Sequence, residues 1–378
     1  MIKNKTAKDI ALVLSSLIFC FLAIEIGVRI FCRDNFKYLP HPKGLYENDR
    51  KRGYKLNRNF KGVFLDSENK YVAKAETNSF GFRDYEYGDK KENTFRILVL
   101  GDSFIFGAGV EMEDTYSKQL ENILRSQSKK IKYEVINTGV LGYGTDQEYY
   151  LLEEWIDRLK PDLVIIGFYI ENDVEDVMIG GLNHYTVKDG YLFDLYRHNK
   201  KEIKKNYFEK YSRAYEFIEN RVNNLLTKIG LKNNSSGSLE LPLDMKFYLK
   251  KYPPELEMAT NKTKGFLKGI DFLAKRWRGK SLILLIPDKD QIWKGIWIEE
   301  LRRYKENPDN YSMTRLNDEL VNFAEENKIP LLDLLPFQRE YEKKNDIFLP
   351  GDPHWNKEGH KFAAKTTYNF LLQKGLIQ

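Results

Sequence analysis

Along this chain, short unbroken apolar runs alternate with stretches in which apolar residues recur at three and four. The runs Ile97–Leu100, Tyr133–Asn137, Asp162–Ile170, Ser281–Ile286 and Ile329–Asp333 have the pattern of strands buried on both faces. Between them, Asp114 is placed to cap a helix carrying Tyr116, Leu120, Ile123 and Leu124 on one face. Further helices are predicted over Gln147–Leu159, near Ala259–Arg278 and near Arg315–Glu326, with a final one capped by Asn356. Five buried strands separated by helices predict an α/β domain: three layers, α/β/α, around a parallel, doubly wound sheet.

Two segments break the rhythm. Residues 1–33 open with Lys3, Lys5 and Lys8 and continue as the apolar run Ile10–Ile24, with Glu25 and Arg29 just beyond. Extended to Phe31, the run is long enough to span a bilayer, and Glu25 and Arg29 can pair across one helical turn. No small-x-small site succeeds it, so an uncleaved transmembrane helix is expected rather than a signal peptide. Within residues 180–260, Phe208, Tyr211, Tyr215, Ile218, Val222, Leu225 and Ile229 recur at helical spacing up to Gly230. That long amphipathic helix either packs on the domain, closes over it as a lid, or lies on a membrane surface. Residues 34–93 are polar and turn-rich, an extended lead-in with a few short strands, in which Thr77–Asp84 is placed to pack on the α/β domain. The expected organisation is an anchor over 1–33, the lead-in over 34–93, and a domain over 94–378 with a helical insertion at about 180–260.

Composition narrows the function. The chain of 378 residues carries 61 basic and 55 acidic side chains, too small an excess to argue for nucleic acid, and no basic stripe interleaved with aromatics stands out. Cys20 and Cys32 are its two cysteines, which excludes a disulfide framework and a Cys-based zinc site. The glycine loop Gly139–Gly144 lacks the G-x-G-x-x-G spacing, so no dinucleotide cofactor is expected. Aromatic residues make up 14% of the chain; core packing and a sugar-stacking cleft both account for that.

Polar features fall just past strand ends, where open α/β sheets bind ligands. Ser103 comes directly after the sharp-turn pair Gly101-Asp102 and reads either as a nucleophile or as a turn residue. The Gly139–Gly144 loop and Asn172 come after the next two strands, and Asp352-Pro353-His354 stands late in the chain. Proline restricts its own φ and the residue before it, so Asp352 and His354 are expected to point the same way, within hydrogen-bonding reach. Of the five histidines, His354 is the one with a carboxylate partner; His360 reads as a capping or surface residue. Serine-dependent acyl transfer requires a nucleophile, an imidazole, a carboxylate to hold it and donors for an oxyanion, and these residues supply each.

GDSF at Gly101–Phe104, the glycine loop beginning at Asn137, Asn172-Asp173 and D-x-H-W-N at Asp352–Asn356 resemble, in order, the four blocks of the SGNH (GDSL-type) hydrolase superfamily. The resemblance covers roughly Phe95 to the C-terminus, apart from residues 180–260. It implies a serine esterase on a flavodoxin-like sheet. Ser103 matches the nucleophile, His354 the base and Asp352 the orienting acid. The backbone N–H groups of Ser103 and Gly142 and the Asn172 amide match the oxyanion donors. Ile170 stands where the family has glycine, and the acid and base are two apart rather than three, with Asp346 as the fallback acid. The shorter spacing, the tryptophan after it and the anchor are similar to membrane-associated enzymes that add or remove O-acyl groups on exported polysaccharides. The expected substrate is thus an O-acylated or O-acetylated carbohydrate or other ester, with the domain outside a bacterial cytoplasmic membrane. A glycan-binding or assembly module with idle catalytic residues is the alternative.

Overall fold

The computed structural model describes residues 9, 12–16, 19–26, 41–65, 71–128, 130–196, 221–222, 241 and 243–377. Strands β1 (Tyr46–Asp49) and β2 (Gly53–Leu56) form an antiparallel hairpin, as do β3 (Lys61–Leu65) and β4 (Tyr71–Glu76). The five apolar runs become β5 (Thr94–Gly101), β6 (Lys132–Asn137), β7 (Leu163–Tyr169), β10 (Lys280–Ile286) and β11 (Leu331–Asp333). A further pair, β8 (Tyr185–Lys188) and β9 (Tyr191–Asp194), precedes β10.

The five strands lie in the order β11-β10-β7-β5-β6, every neighbour parallel. The chain moves outward from β5 to β6, then crosses back past β5 to β7, β10 and β11. This is the flavodoxin-like order, whose switch point falls between β5 and β7. Successive residues of each strand face opposite layers. Leu98, Leu100, Val164 and Ile166 enter one core, packed by α3 (Thr145–Leu159), α5 (Pro254–Arg276) and α6 (Arg315–Asn327). Ile97, Val99, Leu163 and Ile165 enter the other, packed by α2 (Tyr116–Gln127) and α7 (Lys357–Gln373). Helices α1 (Ser103–Phe106) and α4 (Asp173–Ile179) start at the carboxyl ends of β5 and β7. Each fully buried aliphatic side chain in these layers contributes roughly 1.5–3 kcal/mol, so the apolar runs hold the sheet together as well as mark it.

Some boundaries differ from expectation. Asp114 does not cap α2; it lies in the single 3-10 turn Met112–Asp114, and Thr115 is the cap, its extended backbone and hydroxyl oxygen turned to the Lys118 N–H. An N-cap must directly precede the first helical residue, and Thr115 stands between Asp114 and that position. Helix α5 starts earlier than Ala259, at Pro254, where a missing amide N–H is no loss.

The chain divides into two compact units, Met1–Tyr38 with Asp194–Glu240, and Leu39–Phe193 with Leu241–Gln378. In the first, residues 12–16 and 19–26 are helical, with Leu12, Val13 and Phe19 exposed. Among the described residues no helix is long and apolar enough to cross a membrane; the rest of the expected anchor, Arg29 included, lies outside them. The amphipathic stretch Phe208–Ile229 also lies outside them, except for 221–222, which are helical. The second unit contains the sheet together with the lead-in hairpins.

Candidate active site

The strand-to-helix turn after β5 is sharp. Gly101 has φ +155°, and a Cβ there would come within 2.2 Å of Ile105 Cγ1, so only glycine lets the chain double back onto α1. Asp102 caps α1, its Oδ1 accepting the Phe104 N–H at 2.9 Å. Ser103 is thereby the first helical residue, with its N–H among those a helix start leaves unused.

His354 arrives from the other end of the chain. Its carbonyl accepts the Leu349 N–H at 2.9 Å, Phe348 bridges to Trp355, and Asn356 caps α7 by accepting from Glu358 and Gly359 at 2.8 and 3.1 Å. The short arm carrying the imidazole is therefore pinned on both sides. His354 Nε2 lies 2.7 Å from Ser103 Oγ, and Nδ1 lies 2.5 Å from Asp352 Oδ1. The same carboxylate oxygen accepts the His354 backbone N–H at 2.8 Å. Asp352 thus wraps around its own turn, holding ring and backbone with one oxygen, and this is how a two-residue spacing suffices. An ionised carboxylate only accepts, so Nδ1 carries the proton, and Nε2 is left to accept from the Ser103 hydroxyl. The imidazole hydrogen bond holds the Asp352 carboxyl below the usual carboxylate range. The Phe104 ring, 5.1 Å from His354 and 4.5 Å from Tyr169, packs against the imidazole. Asp346, the fallback acid, instead accepts the Phe348 N–H at 3.2 Å.

Asn172 comes after β7, across the switch point from Ser103. Its Nδ2 donates to Asp102 Oδ2 at 3.4 Å, and the Ser103 hydroxyl lies 3.4 Å from that same oxygen. Gly142 is the left-handed residue of the turn that the Tyr143 N–H closes on the Val140 carbonyl at 3.1 Å; its φ is +74°. A Cβ there would press on Tyr54 and Tyr185, each at 3.0 Å. The sheet therefore brings together Ser103, His354 and Asp352 by direct contact, and Asn172 through Asp102. Gly142 sits on the loop at the end of the adjacent strand.

Several residues that build the site had no assigned role in the sequence. Arg83, buried in the lead-in, donates to the carbonyls of Phe106, Gly107 and Val110 at 3.0, 2.9 and 2.7 Å, and to that of Lys74 at 2.8 Å. It clasps the C-terminal end of the turn that carries Ser103. The Tyr54 hydroxyl donates to the Leu141 carbonyl at 2.7 Å and supports the Gly142 loop. The signal for Arg83 was the expected packing of Thr77–Asp84; nothing marked Tyr54. His360 is buried, not a surface residue. Its Nδ1 accepts the Tyr116 N–H at 3.2 Å, capping α2 from α7, and burial lowers its pKa to about 3.

Close to the serine lies a layer of buried acids: Asp102, Asp146, Glu148, Asp173 and Asp176. Burial pushes Asp102 up to about 6. Burial, reinforced by neighbouring acids, pushes Glu148 and Asp173 well above their usual range. Neither Glu148 carboxyl oxygen has a hydrogen-bond partner among the described residues. Asp176 is paired with His184 at 2.6 Å. Among the described residues no group of three or more such side chains is arranged to hold a metal ion.

No protein-family model matches the sequence, and no curated protein matches it. Among solved structures the chain is similar to TesA, at 13% identity, covering 75% of this chain and 99% of that one, with a TM-score of 0.40. It is similar to the psychrotrophic esterase EstA from Pseudoalteromonas sp., at 12% identity over 75% and 98% of the two chains, TM-score 0.40. A third is the acetyl xylan esterase AlAXEase, at 13% identity over 73% and 98%, TM-score 0.39.

Proposed function

We propose that this chain is a serine-dependent ester hydrolase of the SGNH type, acting on O-acyl esters of carbohydrate. The observation that carries the reading is the hydrogen-bonded row Ser103 Oγ, His354 Nε2 and Nδ1, Asp352 Oδ1, at 2.7 and 2.5 Å. His354 takes the Ser103 proton as Oγ attacks the ester carbonyl carbon. The oxygen that becomes negative is met by the Ser103 and Gly142 N–H groups and the Asn172 amide. Collapse of the tetrahedral intermediate expels the alcohol, which leaves with the proton from His354, and an acyl-serine remains. Water, activated by the same imidazole, releases the acid; a sugar hydroxyl in its place would make the reaction a transfer.

The carbohydrate substrate is supported by the resemblance of Asp352–Asn356 to the polysaccharide-modifying branch. Attachment to a membrane through residues 1–33, with the domain on the extracytoplasmic side, is supported by the run Ile10–Ile24 and the exposure of Leu12, Val13 and Phe19. A reporter fused after Gln378 and found in the cytoplasm would overturn that placement.

The chemistry is tested with p-nitrophenyl acetate and a fluorophosphonate. Wild type is expected to hydrolyse the ester and to be labelled at Ser103, and Ser103→Ala to do neither. Equal, slow hydrolysis by both proteins would make the fold a glycan-binding module instead.

A further inference from the structure

Past β10 the chain runs through Pro287 to Asp288, which caps the single turn Lys289–Ile292, and Trp293 closes it. That turn is heavily anchored. Asp288 is buried and accepts the Tyr248 hydroxyl at 2.9 Å, with the Tyr169 hydroxyl, which donates to Glu171, 3.3 Å away. Gln291 Nε2 donates to the Met313 carbonyl at 2.6 Å and to Asn317 at 2.7 Å, and the Gln291 backbone carbonyl accepts Arg339 at 2.6 and 2.8 Å. Polar contacts on several sides therefore set where Trp293 stands. Yet Trp293 itself is 38% exposed, a large apolar ring left partly in water at the end of a rigid turn.

Its surroundings lead to the reacting groups. The indole stands near the Glu342 side chain. It meets the Phe348 ring at 5.0 Å and 66°, a steep contact that covers at most one of its faces. Phe348 is the strand partner of Trp355, next to His354, and Lys289 is close enough for its charge to act on Asp352. The partly exposed indole is thus linked through Phe348 to Trp355, the residue after His354.

We propose that Trp293 is the stacking platform for a sugar unit adjacent to the one bearing the scissile ester. The inference rests on the ester-hydrolase reading and adds to it a preference for oligomers over small esters. One face of a pyranose is lined by C–H groups and matches a flat aromatic surface, while its hydroxyls point outward around the ring edge. A ring already held by its turn loses little freedom when a sugar binds, so the contact is retained as affinity.

The experiment compares p-nitrophenyl acetate with chemically O-acetylated xylopentaose and cellopentaose. For Trp293→Ala, the ratio of kcat/KM on an acetylated pentaose to that on p-nitrophenyl acetate is expected to fall roughly three- to tenfold, through KM. Trp293→Tyr should restore most of it. In the Ser103→Ala background, calorimetry should show pentaose binding weakened by Trp293→Ala and kept by Trp293→Tyr, which reads the platform without turnover. An unchanged ratio and unchanged binding would overturn the inference. So would a wild type that hydrolyses p-nitrophenyl acetate through Ser103 but neither pentaose. Hydrolysis of p-nitrophenyl acetate that survives Ser103→Ala would instead overturn the underlying reading.

Discussion

Two acidic regions flank Ser103, and they are opposites. On the rim, Asp352 has a side chain 47% exposed; it hydrogen-bonds an imidazole and is held in its charged form. In the inner layer, Asp102, Glu148 and Asp173 are buried, and burial drives them toward the neutral form. The same functional group thus serves two ends, and solvation together with hydrogen bonding decides which. In the proposed mechanism the rim acid uses its charge to orient His354 and to stabilise the imidazolium formed during attack. In the inner layer burial makes a charge costly, most of all for Glu148, whose carboxyl oxygens have no hydrogen-bond partner among the described residues.

If this division holds, changes on the rim should move rate and spare stability, and changes in the layer should do the reverse. The largest effect is expected for His354→Ala and Asp352→Asn: a loss of about 10⁴-fold in kcat on p-nitrophenyl acetate, with melting curves unchanged. A rim variant that unfolds instead would break the comparison. Asn172→Ala lies between the two regions and should lower kcat by about 10²–10³-fold if its amide serves the oxyanion. A loss confined to KM would remove it from that role.

Asp102→Asn keeps an oxygen for the Phe104 N–H and replaces with an NH2 group the Oδ2 that accepts from the Asn172 amide. The rate on p-nitrophenyl acetate should change by less than about tenfold, the net worth of one hydrogen bond. A larger loss would move Asp102 into the reacting set.

The smallest rate effect, and the sharpest stability effect, belongs to Glu148→Gln. A carboxyl whose folded pKa is raised binds more protons folded than unfolded. Its stability contribution is present below the unfolded pKa and is lost as pH rises toward the folded one. For Asp102 that window runs from 3.8 to about 6; for Glu148 it opens at the ordinary 4.5 and reaches well above it. Wild type should therefore melt lower at pH 8 than at pH 4.5 as far as this layer is concerned. Glu148→Gln should raise the melting temperature at pH 8, by roughly 2–4 °C for each kcal/mol relieved, with little change at pH 4.5. A gain of equal size at both pH values would show that repacking, not charge, was responsible.

Much of this was legible in the chain before any coordinates. The five apolar runs specified five strands because strands buried on both faces tolerate few polar residues along their length. Ser103, Asn172 and the Gly139–Gly144 loop could be placed at strand ends because the end of each run is itself a sequence signal. Asp352 and His354 were expected to meet because two residues separated by one proline have little conformational choice. Sequence periodicity is a local quantity, and these are local facts.

The remainder depended on contacts between residues far apart in number. That His354 reaches Ser103 across 251 positions comes from the return of the chain after edge strand β11 to α7, which packs against α2, and no spacing encodes that. Arg83 gripping the nucleophile turn, Tyr54 bracing the Gly142 loop and His360 capping a helix other than its own are partnerships of the same kind. The acid layer is the clearest case. Helical spacing with Leu151, Leu152 and Trp155 puts Glu148 on the apolar face and the exposed Glu153 off it, but that this face carries Glu148 among other buried acids is a property of the assembled layers. Sequence determined which segments are buried and where chemistry could stand, since apolar pattern and turn residues act over a few positions. Tertiary structure decided which groups meet and which keep their charge, because distance and desolvation exist only once the layers have closed.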